Sequence, residues 1–197
     1  MRRIEQARKT KETDISIAFE FPEDGSVAPD RVIEIQTGVP FFDHMLHAMV
    51  FHGGFAASIR ARGDVAVDDH HTVEDVGIVL GRILGEYTGQ VGAVRRFGHA
   101  VVPMDDALAE VTIDLGGRPF LVYLADYPQD RVGSFDASLA REFFQGLANA
   151  GLANVHCRVH YGLNTHHMIE ALFKAFGRAL AEATRPAAST LSTKGLL

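Results

Sequence analysis

The chain is 197 residues long, with 19 basic against 25 acidic side chains and a net charge of −6 with histidine neutral. That length suffices for one ordinary domain or two small ones with a real core. The acidic balance argues against a nucleic-acid binder, which carries a basic excess or stripe. No apolar run approaches the roughly 20 residues of a membrane helix. Residues 1–9 contain no apolar signal core, so the expectation is a cytoplasmic chain with no membrane partner. The single cysteine, Cys157, excludes an internal disulfide and all but excludes a thiolate zinc site. It lies in an apolar stretch and reads as a packing residue. Ten histidines stand against it, so a bound metal would be held by imidazole and carboxylate.

Residues 14–21 alternate, with Ile15, Ile17, Phe19 and Phe21 on one face, which predicts a strand. Pro, Asp-Gly and Pro make 22–30 a loop, and 31–36 reads as a return strand. Residues 41–51 are apolar at helical spacing and stop at Gly53-Gly54. A strand over 55–62, a turn at Gly63-Asp64, a short strand over 65–67 and a long amphipathic helix over 70–87 follow. Further on, strands at 107–115 and 119–125 flank Gly116-Gly117. Residues 139–150 read as a helix, 153–160 as a strand and 166–183 as a helix ended before Pro186. Residues 187–197 are a small, polar tail.

The order strand-strand-helix-strand-helix therefore occurs twice. Shifted by 96 residues, 70–87 falls on 166–183 with seven of eighteen positions identical, among them His70/His166, His71/His167, Glu74/Glu170, Gly81/Gly177 and Arg82/Arg178. A shift of 98 sets Gly53 on Gly151 and His44 on Glu142. Duplication of a half-domain accounts for this. The expected fold is α+β, two half-domains each packing two helices on one face of a small mixed sheet. The expected boundaries are 1–92 and 93–185, with a tail at 186–197.

The repeated element is His-His-x-x-Glu at a helix start. One turn separates His70 from Glu74 and His166 from Glu170, so each couple can chelate one metal ion. His71 and His167 point roughly 100° away around the helix and suit a second ion, held mainly by another segment or subunit. His44 and Glu142 stand at equivalent places in the preceding helices and are further ligand candidates. Imidazole with carboxylate suits Mn, Fe, Zn, Co or Ni. His99 and His160, standing alone, read as surface or core residues. A second constellation is cationic: Arg96 before Phe97-Gly98, Arg118 after Gly116-Gly117, Lys174 on the motif helix, and Ser192, Thr193 and Lys194 in the tail. Each alone reads as a surface group. Together they can clamp an anion such as phosphate.

Several strings resemble imidazoleglycerol-phosphate dehydratase. They are Phe41-Phe42-Asp43-His44-Met45-Leu46, Asp68-Asp69-His70-His71-Thr72-Val73-Glu74-Asp75, Arg96-Phe97-Gly98, Asp114-Leu115-Gly116-Gly117-Arg118-Pro119, and the run from Asn164 through His166, His167 and Glu170 to Ala175. Ser192-Thr193-Lys194-Gly195 is similar to the family's closing Ser-Ser-Lys-Gly. The likeness runs in order from about Arg8 to the end. It implies a fold like the second domain of ribosomal protein S5, and dehydration of imidazole glycerol phosphate to imidazole acetol phosphate in histidine biosynthesis. It also implies two Mn(II) ions per active site and a homo-oligomer of 24 subunits with active sites between subunits.

Carried over by motif, the metal ligands are His44, His70, His71, Glu74, Glu142, His166, His167 and Glu170. Glu12 matches a glutamate that reaches the substrate, and Arg96, Arg118, Lys174, Ser192 and Lys194 match the phosphate-binding set. Glu12, Glu74, Glu170 and Asp105 are the carboxylates available for catalysis. Three positions depart from the pattern. Glu142 stands where some members have His, Asp106 where the family has Glu after the kept Asp105, and Thr193 where it has Ser. The length leaves no room for an appended phosphatase domain, so a monofunctional enzyme is expected. On the residues alone, another metal-dependent lyase or hydrolase and a non-catalytic metal-binding shell stay open as alternatives.

Overall fold

The computed structural model describes residues 1–22 and 30–189. Most of the expected 22–30 loop lies outside the described residues, as do Ser192, Thr193 and Lys194 of the tail. In chain order the first elements are β1 (Arg2–Lys9), β2 (Thr13–Phe21), β3 (Ile33–Gln36), α1 (Pro40–Gly53), β4 (Ala56–Gly63) and α2 (His70–Val91). They are followed by β5 (Phe97–Met104), β6 (Ala107–Asp114), β7 (Phe120–Leu124), the short β8 (Arg131–Val132) and β9 (Phe135–Asp136), α3 (Leu139–Gly151), β10 (Asn154–Tyr161) and α4 (Thr165–Ala183).

Two four-stranded sheets follow one plan, β1-β2-β4-β3 and β5-β6-β10-β7. In each, the first three strands are antiparallel and the last edge strand is parallel to its neighbour. The architecture is α+β, with mixed sheets and helices packed on them, as the repeat implied. Among the described residues, only the second half inserts a β8-β9 ladder before its first helix.

Four local expectations change. Strand β1 was not anticipated because Arg-Arg-Ile-Glu-Gln-Ala-Arg-Lys buries Ile4 and otherwise reads as polar, which suits an edge strand. Strand β5 carries Gly98 and Pro103, strand breakers tolerated at an edge. Segments 31–36 and 119–125 do not turn back beside their predecessors. Each pairs in parallel with the strand that follows a helix, and parallel neighbours need such a crossover. Residues 65–67 form a turn, not a strand, closed by the Val67 amide donating to the Asp64 carbonyl at 2.7 Å.

The helices pack crosswise between the halves, α2 on α3 and α1 on α4, while α2 covers β1 and β2 and α4 covers β5 and β6. One continuous apolar core results. Phe42, Phe143 and Phe173 meet in it, with ring centroids 5.1–6.5 Å apart, and each such buried side chain contributes about 1.5–3 kcal/mol. Glycines set the helix approach. A Cβ on Gly81 would lie 2.5 Å from the Leu147 carbonyl oxygen, and one on Gly177 would lie 2.2 Å from that of Met49. Cys157 is buried in this core, and burial pushes its thiol pKa well up, so it is a packing residue. Among the described residues no helix is long and apolar enough to cross a membrane.

Candidate metal centre and active site

The ligand candidates sit in the first two turns of their helices. Pro40 opens α1, and Asp43 accepts from the Thr37 amide and hydroxyl at 2.8 and 2.6 Å, which fixes the start of the helix that carries His44. Asn164 caps α4, its side chain accepting from the His166 amide at 2.9 Å. Asp68 accepts from the His70 amide at 2.9 Å at the head of α2.

The α1–α4 contact brings His44, His166 and Glu170 together, with one ligand atom of each lying within 4.8 Å of the others. His44 Nε2 and His166 Nε2 stand 3.3 and 3.2 Å from the same oxygen, Oε2 of Glu170. Its other oxygen accepts from Lys174 Nζ at 2.7 Å. Glu170 is buried, which by itself pushes its pKa up. The Lys174 ammonium and His44 outweigh burial and hold the carboxyl below its ordinary value. Phe41 packs edge-on against the His166 ring at 5.0 Å. Two imidazoles and a carboxylate converging beside Lys174 form a donor set that fits a divalent transition metal.

The α2–α3 contact repeats this register. Gly146 of α3 abuts the Glu74 carbonyl, so one turn back Glu142 runs alongside His70. His70 Nε2 lies 3.6 Å from Glu74 Oε2, but Glu142 turns to Arg141 at 2.9 Å. Among the described residues this second set does not close into a three-residue group. Here one imidazole stands with two carboxylates, which repel each other, and the Arg141 guanidinium offers Glu142 a cation.

His71 and His167 each sit between carboxylates. His71 Nδ1 lies 3.1 Å from Asp64 Oδ2, and its Nε2 lies 4.0 Å from Glu12 Oε2. Its pKa is raised, first by the hydrogen bond to Asp64. His167 Nδ1 lies 2.5 Å from Asp106 Oδ1, and its Nε2 lies 3.6 Å from Asp105 Oδ2. The His167 bond, with the Leu163 amide second, holds Asp106 well below the usual carboxylate range. Glu12 and Asp105 thus occupy matching places, one in each β-hairpin turn. Asp64 and Asp106 were missed as site residues. The replacement of Glu by Asp at 106 was the signal that could have found one of them.

Of the cationic set, Arg96 has φ 72°, a left-handed backbone disfavoured for a residue with a side chain. It forks onto Asp114, Nε to Oδ1 at 2.6 Å and Nη2 to Oδ2 at 3.1 Å. Arg118 is exposed, and its guanidinium has no partner among the described residues. Lys174 belongs to the Glu170 group. Arg96 and Lys174 thus hold different carboxylates, Asp114 and Glu170.

The imidazoleglycerol-phosphate dehydratase family model matches residues 37–180. Imidazoleglycerol-phosphate dehydratase of Bacillus subtilis (strain 168) is 52% identical over 200 residues, covering 100% of both chains. A crystal structure of IGPD from Pyrococcus furiosus superposes with a TM-score of 0.85 at 38% identity, over 98% of this chain and 100% of that one. The imidazoleglycerol-phosphate dehydratase of Staphylococcus aureus subsp. aureus gives 0.82 at 36% identity, over 94% and 100%. With a matching family model, a matching fold and full-length likeness, the chain belongs to the imidazoleglycerol-phosphate dehydratase family, enzymes that dehydrate imidazole glycerol phosphate in histidine biosynthesis.

Proposed function

We propose that this dehydration is metal-dependent and uses two Mn(II) ions per active site. The ions would be held by His44, His70, His71, Glu74, Glu142, His166, His167 and Glu170. The observation that carries the reading is the closed group of His44, His166 and Glu170, together with its counterpart of His70, Glu74 and Glu142 in the same helix register. Bound ions supply Lewis acidity toward the imidazole and hydroxyl of the substrate, whose proton and leaving group are otherwise poor.

The chain's own groups do the rest. Glu12 and Asp105 are exposed carboxylates beside the Nε2 atoms of His71 and His167, placed to hold or move a proton, with Glu74 and Glu170 as the other candidates. Arg96, Arg118, Lys174, Ser192 and Lys194 would hold the phosphate. Lys174 is now paired with Glu170, and neutralising that carboxylate frees its ammonium for the phosphate oxygens.

His71 and His167 face away from the chelating couples, so a complete site draws on more than one copy of the chain. That assembly would be a homo-oligomer of 24 subunits with sites between them, in the cytoplasm. The common strand order of the two sheets supports duplication, with units at 1–92 and 93–185 and a tail at 186–197.

The test is an assay with imidazole glycerol phosphate after chelation and again after Mn(II) is returned. Turnover should vanish and recover, with two ions bound per active site. Full turnover by metal-free protein overturns the metal-dependent reading.

A further inference from the structure

We propose that Asp64 and Asp106 are positioning residues, each fixing the ring orientation and tautomer of one histidine so that its Nε2 is presented to a metal. This rests on reading His71 and His167 as ligands. A neutral imidazole donates from one nitrogen and accepts at the other. A carboxylate at Nδ1 makes that nitrogen the donor and leaves the Nε2 lone pair outward. Such a carboxylate behind a metal-binding imidazole also raises its basicity. Both Nδ1 atoms have one, Asp64 at 3.1 and 3.2 Å and Asp106 at 2.5 Å.

The two aspartates come from different places in the repeat. Asp64 follows β4, and its amide donates to the Glu12 carbonyl at 3.1 Å. The matching residue after β10 is Gly162, which carries no carboxylate. Asp106 lies in the β5–β6 turn, whose counterpart in the first half carries Glu12. Its Oδ2 accepts from the Leu163 and Asn164 amides at 2.5 and 3.0 Å, which ties the turn to the cap of α4. Duplication copies positions. It therefore does not explain one contact reached from two unrelated positions, whereas a shared demand on the imidazole does. In the second half one turn supplies both neighbours of the ring, Asp105 at Nε2 and Asp106 at Nδ1. In the first half the two are divided between Glu12 and Asp64.

The experiment titrates Mn(II) into chelator-stripped protein by calorimetry and follows the bound ion by electron paramagnetic resonance. The variants are Asp64→Asn, Asp106→Asn, Asp64→Glu, Asp106→Glu, His71→Ala and His167→Ala, with thermal midpoint and assembly size measured on each. Asn keeps an acceptor for the Leu163 and Asn164 amides, so folding should persist. The Asn variants should bind Mn(II) about 10–100-fold more weakly, and the Glu variants should stay within a few fold of the parent. In a His167→Ala background, Asp106→Asn should add no further loss. Asn variants that bind like the parent, while the His variants bind weakly, overturn the positioning role and leave the ligand reading intact. His variants that bind like the parent overturn the ligand reading itself. If Asp106→Asn does not fold, Asp64→Asn decides alone, since that carboxylate holds no backbone amide of a helix cap.

Discussion

Gly81 of α2 abuts Leu147 and Gly151 of α3, and Gly177 of α4 abuts Met49 and Gly53 of α1. Each contact is the image of the other under the repeat. Around these matched crossings the halves diverge. One crossing leads to two imidazoles and a carboxylate, the other to one imidazole and two carboxylates. The outward sheet faces diverge as well. On the first, charge meets charge, with Arg3 on Glu5 and Glu20 at 2.7 and 2.9 Å and Arg60 near Glu34 at 3.5 Å. The second exposes Phe97, Val101, Phe120 and Leu124 around a Glu110 carboxylate shared by His99 and His160 at 2.9 and 2.7 Å. Helix crossings cannot drift, because any side chain there strikes backbone. Ligands near helix starts and side chains on open faces can, and they have.

The largest effect should come from the first-turn histidines. If the two crossings serve one dinuclear chemistry, His70→Ala and His166→Ala should each lower turnover by more than about a thousandfold, since parts of one unit fail together. Each should also lose metal, read by elemental analysis of the purified variant. Unimpaired turnover in either variant would make the halves unequal and sink the dinuclear reading.

Next come the crossings themselves. Gly81→Ala and Gly177→Ala each push a methyl into a carbonyl oxygen, at 2.5 and 2.2 Å, so the helices must separate. Overpacking of this kind costs about 1–3 kcal/mol. The two variants should be destabilised alike in thermal or urea unfolding of the intact assembly. A large loss for one and none for the other would show that the crossings are alike in outline only.

The sequence carried all four described helices because their apolar periodicity is strong and Gly53-Gly54 and Pro186 mark the ends of two of them. It carried the ligand couples because His and Glu one turn apart lie on one face whatever the tertiary fold. The edge strands were hidden. β1 buries so little that its alternation is masked by Arg, Glu and Lys, and β5 contains Gly98 and Pro103. Partner choice was hidden too, since nothing local to 31–36 says that it pairs with a strand twenty residues on. Asp64 and Asp106 were overlooked because each acts through a histidine brought near by the fold. Arg96 was read as a free cation, and its fork onto Asp114 depends on a backbone turn at φ 72° that composition does not announce.

The smallest effect concerns the faces. Glu110 has a lowered pKa, first through its hydrogen bond to His99, against partial burial. A carboxyl depressed in the folded state stabilises fully above its ordinary value of 4.5, and that contribution is lost as pH falls through the lower folded value. Glu110→Gln should therefore match the parent in its fall below pH 4.5 less closely than above it, with the parent losing more. Surface pairs are worth about 0–1 kcal/mol, so the midpoint difference should stay within about 2–4 °C. Melts from pH 6 to pH 3 read it directly. Because the first face pairs its glutamates with guanidinium, which keeps its charge throughout, Glu20→Gln supplies the control. If both variants follow the parent equally across that window, the two faces differ in shape and apolar area but not in how their charge supports the fold.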